Sequence, residues 1–226
     1  MRVVLFDVDG TLIDNGGAGG RALRRALADR YSLTDGTDGV RFDGKTDPQI
    51  VREILSQHGT EGLFSPDAMP SFFPIYLSFL REELSDSKEF RVLPGARELV
   101  GFLDRHQDFL VGLATGNIQE GAHLKLDRAG LGSFFSFGGF GSDSEDRTEL
   151  TRTAIERAHD LNKGQVERVF VVGDTPRDIV HGKEAGATTV AVASGNYSQD
   201  TLEGYKPDLV VKSLDPINPV VDFFTG

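Results

Sequence analysis

Short apolar runs recur along this chain with helical patterns between them, and that alternation decides the fold. Residues 3–6, 109–114, 169–172 and 189–193 are apolar at almost every position, with a weaker run at 209–211. Runs this short and this uniformly apolar are strands covered on both faces, the signature of a parallel sheet. The segments between them carry helical periodicity. Residues 96–105 follow Pro94-Gly95, 119–129 end at Gly130, 147–161 place Leu150, Ala154, Ile155 and Ala158 on one stripe, and 176–185 end at Gly186. Glycine after the last periodic residue is a helix stop. The expected fold class is α/β: a doubly wound, mostly parallel, Rossmann-like sheet with right-handed crossovers.

One stretch breaks the rhythm. From about residue 19 to residue 89 the pattern is helical throughout. Ile50, Val51, Ile54 and Leu55 form one apolar stripe, behind Asp47 as expected N-cap and Pro48 as first helical residue. Phe72, Phe73, Ile75, Tyr76, Phe79 and Leu80 form another. The reading is a small helical cap inserted after the first strand: residues 17–90 as cap, 1–16 and 91–226 as catalytic core, with the chain rejoining the core near Leu93-Pro94-Gly95.

The 226 residues suffice for one core domain plus such a module. A net charge of −11 gives no electrostatic footprint for nucleic acid or anionic membrane, so neither is an expected partner. The absence of cysteine excludes disulfides, thiolate nucleophiles and Cys-ligated zinc. No apolar run approaches the roughly 20 residues of a membrane span. The N-terminus runs straight into a strand without the features of a signal peptide, so a cytoplasmic location is expected. Nothing in the pattern specifies an oligomeric state.

Ligands of open α/β sheets bind outside the carboxyl ends of the strands. The first strand ends in Asp7-Val8-Asp9-Gly10-Thr11, where period two lets both carboxylates point the same way and Gly10 permits a sharp departure. The second ends in Ala114-Thr115-Gly116-Asn117 before a helix, a hydroxyl and free N–H groups suited to an anion. The third ends in Gly173-Asp174-Thr175-Pro176-Arg177-Asp178, where Thr175 also reads as an N-cap with Asp178 in a capping-box arrangement. Carboxylates converging on one edge repel unless a hard cation lies between them, and an oxygen-only ligand set suits magnesium.

Asp7-x-Asp9-Gly10-Thr11, Thr115 and Gly173-Asp174-x-x-x-Asp178 resemble the first, second and fourth motifs of the haloacid dehalogenase-like superfamily. Their order and the helical insert match across nearly the whole chain, in a layout similar to the branch of phosphoglycolate phosphatases and β-phosphoglucomutases. The resemblance implies a Mg2+-dependent phosphatase acting on a small phosphorylated metabolite, phosphoglycolate-like or a sugar phosphate. Asp7 would attack phosphorus, and Asp9 would serve as acid and then base. Asp7, the Asp9 backbone carbonyl and Asp174 would hold the metal, with Asp178 ligating directly or supporting from behind. Thr115, Gly116 and Asn117, with Gly10 and Thr11, would bind the phosphoryl group. A phosphomutase is the alternative, and a non-catalytic phosphate-binding protein a more distant one. Dehalogenases and phosphonate hydrolases of the superfamily lack the second aspartate.

The superfamily's third motif is a basic residue, usually lysine. Here Arg147 opens the helix before the third strand, on the expected catalytic edge, whereas Lys163 follows that helix's other end. Arg147 is therefore the candidate, with the charge retained and the hydrogen-bond geometry changed. Gly44-Lys45-Thr46-Asp47 opens the first long cap helix, and Lys45 is a candidate for an anionic substrate group. The patch Gly17-Ala18-Gly19-Gly20-Arg21-Ala22 matches a dinucleotide fingerprint, but about ten residues separate it from the first strand, which the fingerprint should follow at once. It reads instead as a hinge between core and cap. The five histidines show no ligand spacing.

Overall fold

The computed structural model describes residues 1–34, 37, 39–63, 68–163 and 165–226. In chain order the strands are β1 (Arg2–Phe6), β2 (Ile13–Asp14), β3 (Arg91–Val92), β4 (Phe109–Thr115), β5 (Gly138–Phe140), β6 (Arg168–Gly173), β7 (Thr188–Val192) and β8 (Leu209–Val211). The helices are α1 (Ala18–Tyr31), α2 (Asp47–Gln57), α3 (Met69–Asp86), α4 (Ala96–Asp104), α5 (Gln119–Ala129), α6 (Arg147–Leu161), α7 (Pro176–Glu184), α8 (Gln199–Glu203) and α9 (Asn218–Thr225).

Six strands form one parallel sheet in the order β5-β4-β1-β6-β7-β8. The five apolar runs are five of these strands. The sixth, β5, lies at the edge as Gly138-Gly139-Phe140, a composition with no strand signal of its own. Alternation along β1 sends Val4 and Phe6 into one core cluster with Leu99, Leu126 and Phe224, and Val3 and Leu5 into another with Leu150, Ala154 and Ala158. Helices therefore cover both faces, which is why the strands read as continuous apolar runs. β1 pairs with β4 on one side and β6 on the other, with Val4 beside Val111 and Phe170. The chain builds outward from β1 through β4 and β5, then crosses to β6. The crevice outside β1, β4 and β6 is thus the switch point where α/β sheets place ligands.

The cap leaves and rejoins the core through an antiparallel pair, Ile13 with Val92 and Asp14 with Arg91. Within it α1, α2 and α3 share a cluster in which Ile50, Val51, Ile54, Leu55, Phe72, Tyr76 and Leu80 are all buried. Phe73, Ile75 and Phe79 are only partly covered, so the buried stripe of α3 is Phe72, Tyr76, Leu80 and Leu84, spaced by four. Arg21 and Arg25 of α1 pair with Glu83 at the far end of α3. Two expectations are corrected. The N-cap of α2 is Thr46, in a capping box with Gln49, and Asp47 is the first helical residue. This one-residue shift frees the Asp47 carboxylate from capping. α2 is also the second long cap helix, because α1 precedes it. Among the described residues no helix is long and apolar enough to cross a membrane.

Candidate active site

Asp7 leaves β1, Thr115 ends β4 and Asp174 follows β6, so the three neighbouring strands deliver them to one edge of the sheet. Gly10 adopts a left-handed φ of 80°, which turns the Asp9–Ile13 loop back over the strand end. A Cβ there would run into the Asp174 carboxylate, so this glycine is required for the approach as well as for the turn. Thr11 is fully buried and its hydroxyl donates to Asp174 Oδ1 at 3.1 Å.

Asp7, Asp174 and Asp178 are buried, and each offers a carboxylate oxygen within 4.8 Å of the others. Burial pushes Asp7 up to about 6; the Arg147 guanidinium opposes the shift and the Asp178 carboxylate reinforces it. Asp174 is raised well above the usual range, by burial first and then by Asp178 and Asp7. Three buried oxygen donors that repel one another fit a divalent hard cation, and magnesium suits them. Asp178 has both oxygens engaged: Oδ2 accepts from the Thr175 N–H at 2.9 Å and hydroxyl at 2.7 Å, and Oδ1 accepts from Arg147 Nη2 at 2.5 Å. Thr175 is the N-cap of α7 in a capping box with Asp178, as the sequence pattern predicts, and Asp178 also lies in the carboxylate cluster.

Arg147 opens α6 and is buried, with its guanidinium on Asp178 and 3.7 Å from Asp7 Oδ2. Burial alone would disfavour its charge, but Asp178, Asp7 and Asp174 hold its pKa above the ordinary arginine value. It also donates to the Gly44 carbonyl of the cap at 3.2 Å. Lys163 follows the far end of α6, away from this edge.

Asp9 lies in a different setting. Lys125 Nζ of α5 approaches Asp9 Oδ2 at 2.5 Å, and Asn117 Nδ2 and Asn15 Nδ2 donate to its two oxygens at 3.0 and 2.6 Å. Burial would raise the Asp9 pKa, but Lys125 and these hydrogen bonds together lower it. Asn117 links Asp9 to the anion-site turn, since its Nδ2 also donates to Thr115 Oγ1 at 2.9 Å. Lys125 is a site residue that the sequence reading missed. The signal was its place among Ala122, Leu126 and Ala129, the buried face of α5, where a lysine needs an internal partner.

The cap closes the site from above. Asp47 N–H donates to the Gly116 carbonyl at 2.8 Å, and the Asp47 carboxylate accepts from the Ile118 N–H at 2.9 Å. A Cβ on Gly116 would collide with the Lys45 carbonyl, so glycine in the second motif admits the cap. The result is a cavity of about 350 Å³ with Asp7, Asp9, Asn117, Arg147 and Asp174 on its core side and Leu23, Phe42, Ile50 and Tyr76 on its cap side. Lys45 also lines it, paired with Glu53. Gly17 caps α1 and Gly19 and Gly20 lie in its first turn, where their missing side chains leave room beside Lys125 and Phe42. No histidine lines the cavity among the described residues.

The sequence profile of the haloacid dehalogenase-like hydrolases matches residues 4–192, and the chain belongs to that family. It is 26% identical over 230 residues to the pyrophosphatase PpaX of Bacillus mycoides strain KBAB4, covering 100% of this chain and 99% of that protein. It is 26% identical over 224 residues to a phosphoglycolate phosphatase of Pseudomonas fluorescens strain ATCC BAA-477, covering 96% of this chain and 79% of that one. In structure it is similar to CbbY from Rhodobacter sphaeroides, solved in complex with phosphate, with a TM-score of 0.70 at 15% identity over 93% of each chain.

Proposed function

We propose that this hydrolase is a magnesium-dependent phosphatase that cleaves a small organophosphate monoester through a phosphoryl group carried on Asp7. The observation that carries the reading is the juxtaposition, at one strand edge, of the Asp7 and Asp9 carboxylates with the Thr115–Gly116–Asn117 turn. The names of the PpaX and phosphoglycolate phosphatase relatives support it.

In this reading the phosphoryl oxygens rest on the Thr115 hydroxyl and the N–H groups that follow it, while the Arg147 guanidinium balances their charge. An Asp7 carboxylate oxygen attacks phosphorus, the ester P–O bond breaks, and Asp9 gives its proton to the departing alcohol oxygen. Asp9 then takes a proton from the water that attacks the aspartyl phosphate, which releases inorganic phosphate and frees Asp7. Asn15, Asn117 and Lys125 hold the Asp9 carboxylate in line for both steps. Magnesium, held by Asp7, Asp174 and the Asp9 main-chain carbonyl, would supply the positive charge that keeps Asp7 ionised. Asp178, engaged on both oxygens, would support the site from behind by orienting Arg147 and α7. The division into a catalytic core of 1–16 and 91–226 and a cap of 17–90 belongs to the same proposal, with Lys45 on the cap side.

The test is inorganic phosphate release from a panel of phosphate monoesters with and without magnesium. Magnesium-dependent release is expected, suppressed by chelator; no release from any monoester would sink the reading. A phosphomutase is the second reading, favoured by the seal of Asp47 on Gly116, which would keep water out. Movement of phosphate between hydroxyls of one sugar phosphate, without release, would assign that reaction instead.

A further inference from the structure

The cap side of the cavity says what the departing alcohol cannot carry, an inference that rests on the phosphatase reading. Among the described residues three cationic side chains line the cavity, and each is already committed. Arg147 is bound to Asp178 at the phosphoryl end. Lys125 has its ammonium on Asp9 and on Asn117 Oδ1, both at 2.5 Å. Lys45, just before α2, turns to Glu53 of that helix.

The acids at the leaving-group end are not matched in this way. Asp14 is paired with Arg91. Asp43 accepts from Asn196 at 2.7 Å, and Asp47 accepts from the Ile118 N–H, but neither makes a salt bridge among the described residues. Of the remaining lining, Leu23, Phe42 and Ile50 are apolar, while the side-chain amides of Asn15 and Asn196 already donate to Asp9 and Asp43. The wall also carries the hydroxyl of Tyr76, a residue only 2% exposed, to which no hydrogen bond is made among the described residues. That hydroxyl is close enough to Asp47 and Asp9 for both carboxylates to raise its pKa above the value that burial alone gives.

An anionic substituent placed here would face Asp43 and Asp47 across a partly apolar wall, with no uncommitted cation lining the cavity among the described residues to receive it. A hydroxyl could donate to Asp47 and accept from Tyr76. We propose that the site takes phosphate monoesters of uncharged hydroxylated alcohols, and discriminates against those whose alcohol carries a carboxylate or second phosphate. The chain would then differ in selectivity from the pyrophosphatase and phosphoglycolate phosphatase to which it is similar.

The experiment uses the whole protein with magnesium and p-nitrophenyl phosphate as reporter. sn-Glycerol 3-phosphate and 3-phosphoglycerate, which differ in a hydroxymethyl against a carboxylate, are compared as competitors, a reading that does not depend on either being turned over. Glycerol phosphate should compete at least about tenfold more tightly, the scale set by like-charge juxtaposition. Asp47→Asn should narrow that ratio by weakening the repulsion. Phe42→Lys, a change on the half-buried wall that leaves the Asp47 contacts in place, should narrow it further by supplying the missing cation. Equal or tighter competition by 3-phosphoglycerate in the unaltered protein would overturn the inference alone. No reporter turnover with magnesium, together with no phosphate release from the monoester panel, would instead remove the phosphatase reading on which it rests.

Discussion

On the core side of the cavity, Asp178 has both oxygens occupied, Arg147 is buried between carboxylates, and Asp9 is held by Lys125 and two asparagines. On the cap side, Leu23, Phe42, Ile50 and a tyrosine hydroxyl without a hydrogen bond among the described residues face the same space with Asp43, Lys45 and Asp47, and contacts to the core include those of Asp43, Gly44, Thr46, Asp47 and Arg52. The core wall rises from strand ends whose register is fixed by pairing on both sides. The cap wall rises from helices that pack chiefly on one another. A side chain at a central strand end can be held to the precision that bond making needs, while a helical lid can be rebuilt to suit a different alcohol without disturbing the chemistry. Substitutions should accordingly cost rate on the core side and selectivity on the cap side.

The largest effect is expected at Asp7. Asp7→Asn should abolish turnover and yet stabilise the metal-free protein at pH 8. The Asp7 carboxyl has a folded-state value of about 6 against an ordinary 3.8, so the folded protein binds that proton more tightly than the unfolded chain does. Its contribution to stability is therefore lost as pH rises from about 4 to 6 and stays lost above. Asparagine removes the buried charge, and melting temperature against pH with chelator should show a shallower decline for the variant. A variant that melts lower than the unaltered protein at pH 8 would contradict the account of burial.

Arg147→Ala should lower kcat/KM by at least about 10²-fold, the order found when one preorganised charge stabiliser is lost. Arg147→Lys should recover part of the loss, since it restores the charge without the fork. Lys163→Ala, beyond the far end of α6, should be nearly neutral; a collapse there with Arg147→Ala active would reverse the assignment. Lys125→Met should act through Asp9. With the ammonium gone, the Asp9 carboxyl loses the partner that lowers its pKa, so the basic limb of the kcat/KM profile, where the proton donor to the leaving group is lost, should move to higher pH. An unmoved limb would separate Lys125 from Asp9 function.

The smallest effect is expected at the cap seam. Arg52 pairs with Glu145 at 2.5 Å with both side chains partly exposed, and such pairs contribute about 0–1 kcal/mol. Glu145→Ala should weaken KM modestly and leave kcat close to unchanged. A large fall in kcat would mean that cap closure, rather than the strand edge, limits the reaction.

The contrast between the two walls also explains what the sequence disclosed. Asp7, Thr115 and Asp174 were legible because strands buried on both faces print as uninterrupted apolar runs, and the residue that ends such a run lies on the edge. Arg147 was legible because a helix start following a parallel strand lies on that same edge. Lys125 was not, since a lysine in mid-helix usually marks a solvated face and only its apolar neighbours betray the burial. Asp47 was mistaken for the cap of α2 because Thr46 and Asp47 are both good N-caps, and only the Gln49 side chain reaching back decides between them. β5 escaped notice because two of its three residues are glycine. The helical cap was recognised as helical from its stripes, but stripes report packing alone, so nothing in them identified Tyr76 as the residue whose hydroxyl faces the cavity.

Trapping the covalent intermediate tests the central claim most directly. Acid quenching of turnover with a slow monoester, borohydride reduction and peptide mass spectrometry should find homoserine at position 7 and nowhere else, since reduction of an aspartyl phosphate leaves that residue. Conversion at position 9, or a stable phosphoryl group on a serine or threonine, would contradict the assignment of Asp7 as the residue that carries phosphate.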